Sequence, residues 1–389
     1  MDSNKIKATD REFVANTYAR FDLLLDSAEN GMLLGEGKSY IDFGSGIGVS
    51  AFGVSDSVWA DAVCDQARKL SHTSNLYYTS PCALLAQKLC ERTGMKKVFF
   101  GNSGAEANEC AIKTARKYSC DKYGKDAKRY TVVTLVNSFH GRTMLTLAAT
   151  GQDVFHTDFY PFPEGFKHTP ANDISALKSA LTDDVCALMI ECVQGEGGVL
   201  PLDAEFISAA RQLCDEKDIL LIVDEVQTGN GRTGELYAYM NFGITPDIIT
   251  TAKGLGGGLP IGACMMGEKV ADTMTAGKHG STFGGNPIAA AGSLTVIDRL
   301  DADFLASVKE KSEYIKSKLS KVEGIHSISG MGLMLGLEVD DAKSLAAKCL
   351  ENGLLVLTAK TKLRLLPPLN VPYEQIDRAV EIIADAIKN

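Results

Sequence analysis

Residues Thr250 to Gly262 read TTAKGLGGGLPIG: a lysine closes an apolar run, and four glycines fall in the next five positions. Two readings compete for this stretch. A dinucleotide-binding α/β domain uses G-x-G-x-x-G at a strand-to-helix turn, where glycines let a pyrophosphate approach the backbone. Here the third glycine of that pattern falls at position 259, which is leucine. Pro260 and Ile261 do not continue a helix, and no acidic residue is evident at the end of a following strand. The other reading is that the glycines serve Lys253. An amine at the end of a buried strand loses its proton readily and becomes a nucleophile towards an aldehyde. For a lone lysine, a head group that reaches solvent is the plainer account.

Outward from this stretch the chain alternates between helix-like and strand-like runs. Helical spacing marks VWADAVCDQARKLS, ALLAQKLCERTG, AEANECAIKTARKYSCDKYG and EFISAARQLCDEKD. Between and after them come KKVFFGN, YTVVTLVN, VCALMIEC, ILLIVDEV, DIITTAK and GACMMG, several apolar on both faces. Strands of that kind belong to a mostly parallel sheet covered by helices, joined by right-handed crossovers. Residues 58–290 therefore read as a large α/β domain. After Pro287 the pattern changes to a long helix, another helix, short strands and a closing helix through Asn389. Residues 291–389 read as a smaller α+β domain. Residues 1–57 read as an arm contributing to it, with a hairpin signature in GMLLGEGKSYIDFGSG.

Composition narrows the function classes. The 389 residues carry a net charge of -9, which argues against a surface for nucleic acid. No apolar run is long enough to span a bilayer. Ten cysteines occur without a C-x-x-C pair, and histidines are scattered, so neither a disulfide framework nor a zinc site is expected. The N-terminus, MDSNKIKATDREFVANTYARFD, lacks the apolar core of a signal peptide and its acidic residues disfavour a transit peptide, so a cytoplasmic setting is expected.

Ligands on open α/β sheets bind at the carboxyl ends of strands. After KKVFFGN comes SGAEANE, a small turn opening a helix, suited to a phosphate or simply to a capping box of Ser103 and Glu106. After YTVVTLVN comes SFHGRT; Phe139 and His140 sit where an aromatic ring could stack on a flat ligand, and Arg142 could grip a carboxylate. Glu196 lies between glycines in VQGEGGVL. Asp224 ends one of the most apolar strands, where a carboxylate is costly unless it meets a cation such as a protonated heterocycle nitrogen. Ser281 and Thr282 sit among glycines in HGSTFGGNP. Each signal has a bland structural reading. Together they describe a site for pyridoxal phosphate, with Lys253 for the aldehyde and Asp224 for the ring nitrogen.

The motifs NSGAEANE, SFHGRT, QGEGG, DEVQTGNGRTG, TTAKGLGGGLPIGA and HGSTFGGNP, in this order, resemble the class III (ornithine-aminotransferase-like) pyridoxal-phosphate transaminases over nearly the whole chain. The resemblance implies the fold type I architecture of those enzymes, with a mostly parallel seven-stranded sheet. It implies that Ser103, Gly104 and Ala105 hold the phosphate, with Thr282 reaching the cofactor of a neighbouring subunit. Phe139 and Val226 would cover opposite faces of the ring, and Gln227 would meet the ring hydroxyl. Lys253 and Asp224 would be the catalytic pair. Tyr18, Arg142, Glu196, Ser281 and Arg364 would form the substrate site. Arg142 would take the remote carboxylate, and Arg364 the one beside the reacting carbon of glutamate or 2-oxoglutarate. Glu196 would pair with Arg364 when the donor has no carboxylate there. A homodimer with shared sites is implied.

The implied reaction moves the terminal amine of N2-acetylornithine to 2-oxoglutarate, in arginine biosynthesis. Ornithine, succinylornithine and 4-aminobutyrate are alternative donors. A cofactor-bound mutase and a non-catalytic binding protein are the more distant readings. Cys192 stands where many members of the class carry proline, and AFGVSDSVW (Ala51 to Trp59) departs from their usual sequence.

Overall fold

The computed structural model describes residues 2–388. Met1 of the expected arm and Asn389 of the expected closing helix lie outside the described residues. Three short strands come first: β1 (Ser27–Glu29), β2 (Met32–Gly35) and β3 (Lys38–Asp42). β2 and β3 form the expected hairpin, and the two turn residues Glu36 and Gly37 both have positive φ, at 50° and 78°. That backbone twist suits a two-residue hairpin. The next strands are β4 (Lys97–Gly101), β5 (Thr131–Leu135), β6 (Phe166–Thr169), β7 (Val185–Ile190), β8 (Val193–Gln194) and β9 (Leu200–Pro201). They are followed by β10 (Leu220–Asp224), β11 (Ile248–Thr251) and β12 (Gly262–Met266).

Seven of these form one sheet in the order β4-β12-β11-β10-β7-β5-β6. Only β12 runs antiparallel to its neighbours, so the sheet is the mostly parallel one expected. Its two faces are covered in alternation. Ile112 and Ala115, on the helix Gly104–Tyr123, bury one face with Val132, Met189, Ile222 and Cys264. Phe206 and Ala210, on the helix Ala204–Glu216, bury the other with Val133, Leu188, Leu221 and Ala263. Each large apolar side chain fully buried in this way contributes roughly 1.5–3 kcal/mol.

The C-terminal strands are β13 (Ser327–Met331), β14 (Met334–Glu338), β15 (Leu354–Leu355), β16 (Leu357–Ala359) and β17 (Lys362–Leu365). β13, β14, β17 and β16 form an antiparallel sheet, while β15 joins the N-terminal strands by running parallel to β3. The arm strands and a C-terminal strand thus share one sheet.

Several elements were not anticipated, among them β8, β9 and the short helices Met144–Ala149 and Ile174–Ala180. The helix Ser3–Phe13 has no buried residue, and its half-buried face, Ser3, Ile6, Lys7 and Asp10, is mostly polar. β6 is an edge strand with the polar sequence FKHT. The helix Ala342–Glu351 interrupts what read as a run of short strands. All ten cysteines are free. Among the described residues, no helix is long and apolar enough to cross a membrane, and no cluster of metal-ligating side chains occurs.

Candidate active site

Segments following β4, β5, β7, β10 and β11 converge on one cavity of about 470 Å³. That size lies within the usual range for small-molecule sites, about 300–1,000 Å³. Its walls include Ser103, Gly104, Ala105, Phe139, Arg142, Glu196, Asp224, Val226, Gln227 and Lys253.

Asp224 ends the fully buried β10 and is itself buried. Its carboxylate accepts three hydrogen bonds. Oδ2 takes Asn108 Nδ2 and His140 Nδ1, each at 2.8 Å, and Oδ1 takes the backbone N–H of Val226 at 3.0 Å. These bonds offset the cost of burying the charge. The acceptor carboxylate places the His140 proton on Nδ1, and Nε2 of that ring is left without a partner. From sequence His140 was read, with Phe139, only as a ring that could stack on a flat ligand; it is instead buried against Asp224, and Asn108 had been assigned no role. Asn108 comes from the second turn of the helix Gly104–Tyr123, where nothing local distinguishes it.

Lys253 follows β11 with a φ of 43°, in the left-handed region that a non-glycine residue enters at a cost of about 1–3 kcal/mol. The glycines behind it lie against Trp59, whose Nε1 donates to Gly256 O at 2.9 Å. A Cβ on Gly256 would stand 2.0 Å from Leu259 O, and one on Gly257, at φ 61°, would stand 2.9 Å from Trp59 Nε1. The glycines therefore close a tight turn on the indole and leave the lysine facing the cavity. Burial lowers the Lys253 pKa; Glu196 opposes that shift and Arg364 adds to it.

Ser103 caps the helix Gly104–Tyr123, accepting from Glu106 N at 3.2 Å. Half of the capping box expected in SGAEANE forms: the Glu106 carboxylate accepts from Asn102 N rather than from Ser103 N, and the N–H groups of the first turn are left free of intrahelical partners. Close packing defines this turn: a Cβ on Gly262 would stand 2.1 Å from Ser103 O, and one on Gly104 would stand 2.7 Å from Val226 Cγ1. Asn102 Nδ2 donates to Ser281 Oγ at 3.0 Å, which brings the 279–287 loop to the edge of the site. Thr282 is exposed and does not line the cavity.

Arg364, on β17, is 3% exposed and reaches Glu196 Oε1 through Nη1 at 2.6 Å. The same Nη1 donates to Gln227 Oε1 at 3.2 Å, and Gln227 Nε2 donates to Glu196 Oε1 at 3.2 Å. Burial alone would raise the Glu196 pKa, but the Arg364 charge and hydrogen bond outweigh it and hold the carboxyl below its ordinary value. Arg142 has no ion pair among the described residues. Its guanidinium lies 4.1 Å from the Phe155 ring centre and 5.5 Å from that of Phe139.

Glu191, absent from the sequence-derived set, is buried just past β7. Its two oxygens accept Phe139 N at 2.9 Å and Gly195 N at 3.3 Å, joining the loops that carry Phe139 and Glu196. Burial pushes its pKa up to about 7, with the Asp224 charge adding and His140 opposing. Tyr18 is not brought to this cavity; it lines a separate one within the N-terminal arm, beside Arg20.

A buried carboxylate with its own proton donors and a burial-depressed lysine on the wall of one cavity are the parts of a transaminase. The Aminotransferase class-III family matches residues 13–387. Acetylornithine aminotransferase of Haemophilus ducreyi is 51% identical over all of this chain and 99% of its own length. The crystal structure of ornithine aminotransferase from Toxoplasma gondii superposes with a TM-score of 0.95 at 31% identity, covering 100% of this chain and 95% of that one. A second structure of the Toxoplasma gondii enzyme, crystallized with oxidized glutathione, has a TM-score of 0.93 at 31% identity over 99% and 94% of the two chains. It shows pyridoxal phosphate at partial occupancy in its active site. The chain belongs to the class-III aminotransferases.

Its cofactor is pyridoxal phosphate, and the residues present fit that group. The cavity offers a buried carboxylate for a protonated ring nitrogen, a lysine amine for an aldehyde and free first-turn N–H groups for a phosphate.

Proposed function

We propose that the protein is a cytoplasmic homodimer that transfers the terminal amine of N2-acetylornithine to 2-oxoglutarate. The products would be N-acetylglutamate 5-semialdehyde and glutamate. The observation that carries this reading is the ion pair of Arg364 with Glu196, a residue of the cavity wall, while Arg142 on that wall has no ion pair among the described residues. A donor that reacts through a terminal amine brings one carboxylate, remote from the reaction, and Arg142 would take it. Glutamate and 2-oxoglutarate bring a second carboxylate next to the reacting carbon. Arg364 would take that one, and Glu196 would step away.

Bound in the cavity, pyridoxal phosphate supplies an electron sink for the pair of electrons left when the donor's amine-bearing carbon loses a proton. The chain's own groups do the rest. Lys253 Nζ would anchor the aldehyde and then carry the proton from carbon and back; a depressed pKa suits that work at neutral pH. Asp224 would keep a proton on the ring nitrogen, itself held by Asn108, His140 and Val226. Ser103, Gly104 and Ala105 would hold the phosphate. Phe139 and Val226 would confine the ring, and Gln227 would meet its hydroxyl. Ser281 would border the substrate, while Tyr18 and Thr282 would act across the dimer.

The homodimer is supported by exposure. Leu76, Tyr77 and Tyr78 form a consecutive apolar run at 87%, 71% and 105% exposure, and exposed patches of that kind are covered in assemblies. Ornithine as donor is the second reading, favoured by the TM-score of 0.95 to an ornithine aminotransferase. Product analysis tests the reaction. Beyond one equivalent per active site, N-acetylglutamate 5-semialdehyde should accumulate from N2-acetylornithine only when 2-oxoglutarate is present, with one glutamate per turnover. Accumulation beyond that equivalent without an oxo acid, or none with it, would refute the proposal.

A further inference from the structure

Arg232 is 2% exposed and makes no ion pair among the described residues; Asp42 is the acid whose field reaches it. Burial pulls its pKa down to about 10, so it remains a charged donor at neutral pH. A buried guanidinium without a carboxylate is costly unless its hydrogen bonds are well used. Those of Arg232 have a definite target. Nη1 donates to Leu333 O at 3.1 Å and to Pro367 O. Its backbone carbonyl accepts Leu333 N at 2.9 Å, so arginine and leucine clasp each other in both directions. The approach is close enough that a Cβ on Gly332 would stand 2.4 Å from Arg232 O.

Both clasped residues flank Arg364. Leu333 leads directly into β14, which pairs with β17 in the register Gly336–Arg364. Pro367 follows the end of β17, three positions beyond Arg364. Arg232 itself belongs to the segment that leaves β10 at Asp224 and carries Gln227. One side chain thus ties the strands around Arg364 to the segment of Asp224 and Gln227. The 3.2 Å bond between Arg364 Nη1 and Gln227 Oε1 spans the same junction.

We infer that Arg232 is a positioning residue for the second substrate: it sets Arg364 against Gln227 and so shapes the subsite for the 2-oxoglutarate carboxylate beside the reacting carbon. The inference rests on the proposed role of Arg364. An amino donor without a carboxylate there does not use that subsite and is insensitive to the clasp.

Arg232→Met removes all the donors, and Arg232→Lys keeps one charge with shorter reach. Each holoenzyme is assayed in its two half-reactions, together with Arg364→Lys. For both Arg232 variants the concentration of 2-oxoglutarate giving half-maximal rate should rise about tenfold or more, while the N2-acetylornithine half-reaction stays within about twofold. The lysine variant should be the less affected. Equal losses in both half-reactions, no change in either, or insolubility of both variants would assign Arg232 to the fold alone and overturn the inference. If Arg364→Lys leaves the 2-oxoglutarate requirement unchanged, the reading of Arg364 itself fails. If Arg364→Lys raises it and the Arg232 variants do not, only the clasp fails.

Discussion

Glu196 and Arg364 are 168 residues apart in sequence and meet at 2.6 Å where Glu196 lines the cavity wall. One residue comes from the loop between β8 and β9, the other from β17, and Gln227 bonds to both. The pair neutralises Arg364 in the absence of a substrate carboxylate. Breaking a buried pair by removing one partner leaves an uncompensated charge.

Glu196→Ala should therefore change donor preference more than overall competence. With Arg364 bare, glutamate gains as a donor and a terminal-amine donor loses. The ratio of their half-reaction kcat/KM values should move towards glutamate by about tenfold or more, equivalent to roughly 1.4 kcal/mol. An unchanged ratio would show that Glu196 does not gate Arg364.

Lys253 should be the attachment point of the cofactor. Borohydride reduction of the holoenzyme followed by peptide mass mapping should place the reduced cofactor on the peptide containing Lys253. Lys253→Ala should lower turnover by about 10²–10⁴-fold, the usual contribution of a positioned acid–base group, or by more. Label on another lysine, or near-normal turnover in the variant, would remove Lys253 from the mechanism.

The same lysine gives a pH expectation. Burial favours its neutral form, so the folded-state pKa lies below the ordinary 10.5. The neutral amine is the form that captures an aldehyde. The rate at which cofactor-free protein takes up pyridoxal phosphate should rise with pH and reach half its maximum below 10.5. A midpoint at or above that value would contradict the burial argument.

Glu191 links pH to stability. Its folded-state pKa of about 7 exceeds the ordinary 4.5, so folding favours its protonated form. Such a contribution is present below 4.5 and is lost as pH rises through about 7. Glu191→Gln cannot titrate. The Tm of the natural protein relative to this variant should fall across that interval, and a difference that stays flat would refute it.

The legible parts of the fold and cavity were those with a local signal. Strands apolar on both faces disclosed the parallel sheet, and the strand-end rule then directed attention to Asp224, Lys253, Phe139 and Glu196. His140, Asn108 and Glu191 were not legible in the same way. Their partners lie 84, 116 and 52 residues away for the His140–Asp224, Asn108–Asp224 and Phe139–Glu191 bonds. Nothing in the neighbourhoods of Asn108 and Glu191 distinguishes them from ordinary polar residues, and His140 stood out only as a ring beside Phe139, with no sign of its bond to Asp224. The glycines after Lys253 were read as serving that lysine. Their packing on Trp59 is a tertiary contact that spacing could not announce. Edge strand β6 and the helix Ser3–Phe13 escaped because their sequences are largely polar and bury little apolar surface.

The central claim is the identity of the donor, and a side-by-side measurement of kcat/KM with saturating 2-oxoglutarate tests it most directly. The panel is N2-acetylornithine, ornithine, N2-succinylornithine and 4-aminobutyrate. The account predicts that N2-acetylornithine leads ornithine and 4-aminobutyrate by about tenfold or more, the discrimination that roughly 1.4 kcal/mol of transition-state binding provides. A higher value for ornithine or 4-aminobutyrate than for N2-acetylornithine would contradict it.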